Sequence, residues 1–257
     1  MKILITGASE GIGLETAKLL ASGNNEITLV ARNREKLEKA AASLKGTGHR
    51  IIAADLSKRE DVDALKLSIE QNTYGALINN AGVGMYGRFT EMPLADQEKM
   101  LYLNVMAVTS LSYFYLRQAK KGDALVNVAS TLGTTSYPGA AVYAASKAYV
   151  TNFSESLWWE YKKKGIYVAG FCPGPTYTNF HNAAGGDKDN FPGFVMQGQA
   201  RVANNLVMAL VKRKRPKISS GAFSHVMLFV HKLMSRTMVV NMMGSFSPLN
   251  DTAKQHV

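Results

Sequence analysis

Residues 2–20 read KILITGASEGIGLETAKLL: a short apolar run, glycines at 7, 11 and 13, then apolar residues returning at helical spacing. Strand, tight turn, helix is the reading of that order. The N-terminus of a helix entered this way carries outward-facing N–H groups with partial positive charge, and a pyrophosphate settles there if no side chain blocks it. Glycine removes the block. The spacing is T-G-x-x-x-G-x-G rather than G-x-G-x-x-G, and three glycines alone are equally the mark of a plain turn.

Working outward, the same alternation continues. Apolar runs at 26–31 (EITLVA), 49–55 (HRIIAAD), 76–80 (ALINN), 124–129 (ALVNVA), 166–171 (IYVAGF) and 216–220 are separated by helical patterns at 34–44, 57–71, 93–118, 140–162 and 200–211. Strand and helix in alternation, with no fixed repeat, require right-handed crossovers. The expected architecture is α/β, a doubly wound Rossmann-type parallel sheet of about seven strands with helices on both faces. At 257 residues one such domain accounts for the whole chain, 1–257. Ser57 and Glu60 read as a capping box that starts the 57–71 helix. After Thr176 the regularity fades, and residues 176–215 are expected to form a substrate lid beside the site. A C-terminal helical extension is expected at 223–244, with Val226, Met227, Val230, Leu233 and Met234 on one face and His225, Lys232 and Arg236 on the other.

Composition narrows the function classes. Hydrophobic residues make up 46% and charged residues 19%, as in an ordinary globular protein, and no segment has the roughly 18 uninterrupted apolar residues of a membrane span. Glycines arrive too early for a signal peptide's apolar core, so the expected compartment is the cytoplasm. Cys172 is the only cysteine, which excludes an internal disulfide and a cysteine-based metal site, and no metal is expected. The net charge of +11 is uneven: residues 190–250 hold eight cations and no acid, with the densest run at 212–217. An anionic partner such as a membrane surface fits that run, as does a solvated helix end favoured by the helix dipole. It lacks the interleaved aromatics of a nucleic-acid surface. Seven of the 12 methionines lie between 196 and 243, suited to a pliable apolar pocket, an interfacial helix, or a terminal helix packed on the core.

The chemistry points to residues 130–147, STLGTTSYPGAAVYAASK. Tyr143 and Lys147 are four apart and share one face of a helix. An ammonium near a phenol stabilises phenolate and lowers a pKa that otherwise lies near 10, which makes the pair a usable acid and base. Ser130, at the preceding strand's end, can hydrogen-bond the same substrate oxygen. At the end of the second strand stand Ala31, Arg32, Asn33 and Arg34 with no carboxylate. That favours a 2′-phosphate, hence NADP(H), over a bare ribose, although both arginines also suit a solvated first turn. Asp55 sits where the third strand meets an adenine, or caps a turn. Asn104, midway along an apolar helix, reads equally as a core amide.

Taken together, TGASEGIG (6–13), NNAG (79–82), Asn104, Ser130, YAASK (143–147) and PGPTYT (173–178) resemble, in order and distance, the short-chain dehydrogenase/reductase family, classical type, NADP(H)-preferring. The resemblance covers residues 1 to about 180. It implies a carbonyl reductase or secondary alcohol dehydrogenase with Asn104, Ser130, Tyr143 and Lys147 as the catalytic set. Cofactor contacts would fall on Gly7, Ser9, Gly11, Ile12, Gly13, Arg32, Arg34, Asp55, Leu56, Asn80, Ala81, Gly82, Tyr143, Lys147, Pro173, Gly174, Thr176 and Thr178. Lys147 would also hold the nicotinamide ribose, Asn104 would support a water relay to Lys147, and Thr178 would meet the carboxamide. One departure is Glu10, where many NADP-preferring members carry a basic residue. The expected partner is a small-molecule carbonyl or alcohol substrate, large and hydrophobic, steroid-like or acyl-chain-bearing, and the expected assembly a homodimer or homotetramer. A dinucleotide-binding regulator without turnover, and a peripheral membrane protein using the basic region, are the competing readings.

Overall fold

The computed structural model describes residues 1–180, 184, 193–221, 230, 233–247 and 249. Seven strands, β1 (Lys2–Thr6), β2 (Glu26–Ala31), β3 (Arg50–Ala53), β4 (Ala76–Asn79), β5 (Ala124–Val128), β6 (Tyr167–Cys172) and β7 (Lys217–Ser219), form one sheet in the order β3-β2-β1-β4-β5-β6-β7. Every pairing is parallel. The helices between them are α1 (Gly11–Ala21), α2 (Arg34–Ala42), α3 (Arg59–Gln71), α4 (Leu94–Leu101), α5 (Val108–Gln118), α6 (Ala141–Lys162) and α7 (Gln199–Lys212), followed by α8 (Arg236–Ser245).

The central strands are apolar at successive positions because both faces of the sheet are covered. Ile3, Ile5, Ile27, Leu29 and Ile78 point to one side, where α1, α2 and α7 supply Ala17, Leu37 and Leu206. Leu4, Val30, Leu77, Leu125 and Val168 point to the other, against Val62, Leu65 and Ile69 of α3 and Leu111 and Tyr115 of α5. Cys172 is fully buried in the sheet beside Thr151, and burial pushes its thiol pKa up, so it is a core residue.

Three details depart from the sequence reading. The helix expected over 93–118 is interrupted by a π-helical segment, Tyr102–Ala107, with Asn104 at its middle. Hydrophobic periodicity runs smoothly through such a bulge, so nothing in the pattern marks it. The capping box at Ser57 and Glu60 does not form: Lys58 is the N-cap of α3 and makes no capping bond. The Ser57 hydroxyl instead donates to Asp55 at 2.7 Å, and the Asp61 carboxylate accepts from the Asp55 N–H. Finally, the C-terminal helix begins at Arg236, where the Ser235 hydroxyl accepts from Met238 N–H. Residues 222–229 and 231–232 of the expected extension, including His225, Val226, Met227 and Lys232, lie outside the described residues, as do 181–183 and 185–192 of the expected lid.

The glycine turn is held by packing as well as by backbone conformation. Gly7 has φ +64°, which L side chains rarely adopt. A Cβ on Gly13 would lie 2.3 Å from the Gly7 carbonyl oxygen and 2.6 Å from Asn80 Nδ2, both rigidly placed. Gly13→Ala should therefore cost about 3 kcal/mol through forced backbone shift. Urea unfolding of the variant checks this, and an unchanged midpoint would remove the packing argument.

Candidate active site

The crossovers leave β1 and β4 in opposite directions, so a crevice opens beyond the carboxyl ends of these neighbouring strands. A cavity of about 630 Å³ runs along that edge, from Gly7 and Gly11 to Tyr143 and Phe180. Thr6, the last residue of β1, ties its two walls together: its Oγ1 accepts from the N–H groups of Asn80 and Ala81 at 3.0 and 2.9 Å.

At the glycine turn, Glu10 is the N-cap of α1 but its carboxylate makes no capping bond. It is drawn aside to Lys36 Nζ at 3.0 Å and Asn179 Nδ2 at 3.3 Å. The first-turn N–H groups of α1 thus keep their capacity for an anion, and Ser9, Gly11 and Ile12 line the cavity there. This cradle fits a pyrophosphate. Two residues expected as contacts act behind it: Gly13 is packed against the Gly7 carbonyl, and the Asn80 amide donates to the carbonyls of Thr6 and Gly7 at 2.9 and 3.0 Å. Asn80 still lines the cavity, yet its amide hydrogens are already engaged.

At the far wall, Arg32 lines the cavity and Arg34 does not. Arg34 turns outward to Glu38 at 3.0 Å, a helical i,i+4 pair. Lys36, which the sequence reading passed over, lines the cavity instead. Its position on the first turn of α2 was legible, because Asn33 caps that helix by accepting from Lys36 N–H at 2.8 Å. Asp55, Leu56, Ala81 and Gly82 are also at the cavity wall. Burial raises the Asp55 pKa, but hydrogen bonds from Ser57, with Arg32 and Lys58 close by, hold the carboxyl below its usual value. Asp55 is thus a turn cap and a wall residue together.

At the other end β5 delivers Ser130, and α6 presents Tyr143 and Lys147 one turn apart. All three are buried. The Ser130 hydroxyl accepts from Leu132 N–H at 3.1 Å and shares a hydrogen bond with Tyr143. Lys147 Nζ donates to the Val128 carbonyl at 2.9 Å and sits 5.9 Å from the Tyr143 ring centroid. Desolvation pushes the Tyr143 phenol up to about 12, opposed by Ser130. The lowering expected from Lys147 is overruled, because the ammonium lies over the ring and is itself buried, its pKa depressed to about 8 by desolvation.

The fully buried Asn104 accepts from Val83 N–H at 3.1 Å and donates to the Val83 carbonyl and the Ser146 hydroxyl at 2.8 and 3.1 Å. Its amide pins the β4 exit loop to α6. It also borders the site, since a Cβ on Gly82 would be 3.1 Å from both Asn104 Oδ1 and Lys147 Nζ. Pro173, Gly174, Thr176 and Thr178 close the cavity from the β6 exit, where Thr176 Oγ1 donates to the Gly174 carbonyl at 2.8 Å. The walls beyond Tyr143 are apolar: Val83, Tyr86, Leu132 and Phe180, the last 5.6 Å ring to ring from Tyr143. Val239 and Met243 of α8 pack into the same cluster.

Residues 1–189 match the family model for short chain dehydrogenases. The chain belongs to the short-chain dehydrogenase/reductase family. Members of this family are oxidoreductases that bind a nicotinamide dinucleotide. The chain is 35% identical over 181 residues to a very-long-chain 3-oxoacyl-CoA reductase of Anas platyrhynchos, a match covering 66% of this chain and 58% of that relative's length. It is 31% identical over 179 residues to carbonyl reductase family member 4 of Danio rerio, covering 68% of this chain and 76% of the relative. A short-chain dehydrogenase from Sphingobium yanoikuyae, solved in complex with NADPH, superposes with a TM-score of 0.80 at 28% identity over 90% of this chain and 93% of that one. Among the described residues, no helix is long and apolar enough to cross a membrane.

Proposed function

We propose that the protein is an NADPH-dependent carbonyl reductase acting on a hydrophobic ketone, with Tyr143 as proton donor. The observation that carries this reading is the convergence of Ser130 on the Tyr143 phenol, with Lys147 behind it, at the apolar end of a cavity whose other end is an anion cradle. When bound, NADPH supplies the hydride. Tyr143 donates the proton to the carbonyl oxygen, and Ser130 hydrogen-bonds that oxygen as negative charge develops on it. A phenol held near 12 stays protonated at neutral pH, which suits reduction better than oxidation. A binding protein without turnover would have no use for a buried tyrosine, serine and lysine gathered at one point.

The NADP(H) assignment rests on Arg32 and Lys36 at the cavity wall, Lys36 taking the place first given to Arg34. Arg32→Ala should weaken NADPH binding about 10-fold or more and leave NADH binding nearly unchanged, as read by titration calorimetry. Equal loss for both cofactors would overturn the 2′-phosphate assignment. The apolar walls at Tyr86, Leu132 and Phe180 favour a bulky apolar substrate, in keeping with the relative named for 3-oxoacyl-CoA. Following NADPH oxidation against ketones, diketones, steroids and acyl thioesters tests the function. Failure of every carbonyl class at saturating NADPH would end the reading.

A further inference from the structure

Three loops enter the sheet edge opposite the cavity. They precede β5, β6 and β7, which are neighbours, so the fold brings together segments far apart in sequence. Gly122 N–H donates to the Gly165 carbonyl at 2.9 Å, the Arg213 guanidinium donates to the Gly122 carbonyl, and the Tyr167 hydroxyl donates to the Arg215 carbonyl at 2.9 Å. Each loop carries a run of cations: Lys120 and Lys121, residues 162–164 (KKK), and residues 212–215 (KRKR). All but Arg213 are exposed, and among the described residues none of the nine forms an ion pair. The acids in or beside these runs are Asp123, which accepts from Lys120 N–H, and Glu160.

Helix dipoles account for part of this, because a parallel sheet turns all helix C-termini toward one rim. They do not account for its distribution. α1 and α3 end on the same rim, yet they run out through Ser22, Gly23 and Asn24, and through Asn72 and Thr73, with no cation after the helix. Lys45 and Arg50 follow α2 on that rim, but the longest runs of charge lie before β5, β6 and β7. Apolar groups stand among the cations there: Trp159, 63% exposed in the last turn of α6, and Val211, 69% exposed in the last turn of α7. Lys162 Nζ lies 4.7 Å from the Trp158 ring centroid and 5.4 Å from that of Trp159.

We propose that this rim docks the protein on an anionic lipid surface, with Trp159 at the headgroup level and the lysines over the phosphates. Lysine beside an exposed indole is the combination that membrane interfaces favour, and unpaired cations on one rim add their attractions to a surface charge spread in two dimensions. Docked this way, the cavity at the opposite edge of the sheet opens away from the lipid, so cofactor exchange is unobstructed.

Co-sedimentation with phosphatidylcholine vesicles, with and without about 30 mol% phosphatidylserine, at about 0.1 and about 0.5 M salt, tests this. The protein should bind only the anionic vesicles and leave them at high salt. The quadruple charge reversal at Lys163, Lys164, Lys214 and Arg215 to Glu should weaken partitioning at least about 100-fold. Trp159→Ala should weaken it several-fold without changing the salt slope. Far-ultraviolet dichroism and the melting temperature verify that both variants fold. No binding to anionic vesicles at low salt, or undiminished binding by the folded quadruple variant, overturns the proposal. So does binding to a duplex oligonucleotide that survives higher salt than vesicle binding does.

Discussion

Tyr143→Phe lowers carbonyl reduction by about 100- to 10,000-fold while NADPH affinity changes by less than about twofold. The substitution removes one oxygen and keeps the ring, which packs in the apolar cluster with Ala140, Val239 and Met243 and lies 5.6 Å from Phe180. Cavity shape and cofactor cradle are therefore preserved, and only the proton donor is lost. The hydrogen bond to Ser130 goes with it, a loss of about 1 kcal/mol in stability that a single-turnover assay at 25 °C does not feel. Steady-state rates with NADPH and a responsive ketone, alongside calorimetric titration of NADPH, measure both halves. A variant keeping more than a tenth of the rate would remove Tyr143 from the mechanism. The pH profile adds an independent reading. With the phenol pushed up to about 12, its protonated form prevails throughout the neutral range, so ionisation of Tyr143 itself leaves reduction level there. Alcohol oxidation needs phenolate and should climb with pH across that same range.

The frame of the molecule was legible because each strand is an apolar run stopped by small or turn-forming residues, and parallel pairing follows from the alternation. Ser130, Tyr143 and Lys147 stood out by spacing, a strand end and one helical turn, and took their weight from the glycine turn, NNAG, Asn104 and PGPTYT around them. What was not legible depends on contacts distant in sequence. Arg34 was misplaced because its side chain turns away from the cavity to its i,i+4 partner Glu38, a pairing visible in the sequence but indistinguishable there from a solvated helix face. Lys36 needed Glu10, 26 residues away, to bring it to the cavity. The pKa of Tyr143 depends on how completely the site is desolvated, which no spacing reports. The basic rim shows the same limit: residues 120–121, 162–164 and 212–215 are three unremarkable charge runs until the strand order places their loops side by side.

Lys147→Met should lower turnover about as far as Tyr143→Phe does, by about 100- to 10,000-fold, and, at neutral pH, leave the protein as stable as the parent or more so. The stability half follows from sign. Lys147 is buried, and desolvation lowers its pKa from 10.5 to about 8. The folded protein therefore penalises the charged lysine by roughly 3 kcal/mol at pH below about 8, and the penalty fades as pH rises from there to the ordinary lysine value, above which both states are neutral. Methionine keeps most of the side-chain volume without the charge. It also leaves the Val128 carbonyl without the ammonium that donates to it at 2.9 Å, which costs about 1 to 3 kcal/mol. The balance at pH 7 is near zero or favourable to the variant. The difference between pH 7 and pH 10.5 does not depend on the carbonyl: over that interval the parent should gain roughly 3 kcal/mol on the variant. Urea unfolding of both proteins at several pH values reads this directly. Parallel curves would mean that Lys147 is not desolvated in the fold. A parent that gains on the variant as pH rises, with turnover lost in the variant, would mean that the protein holds a charge at this position against its own stability, which is the expected signature of a group retained for chemistry.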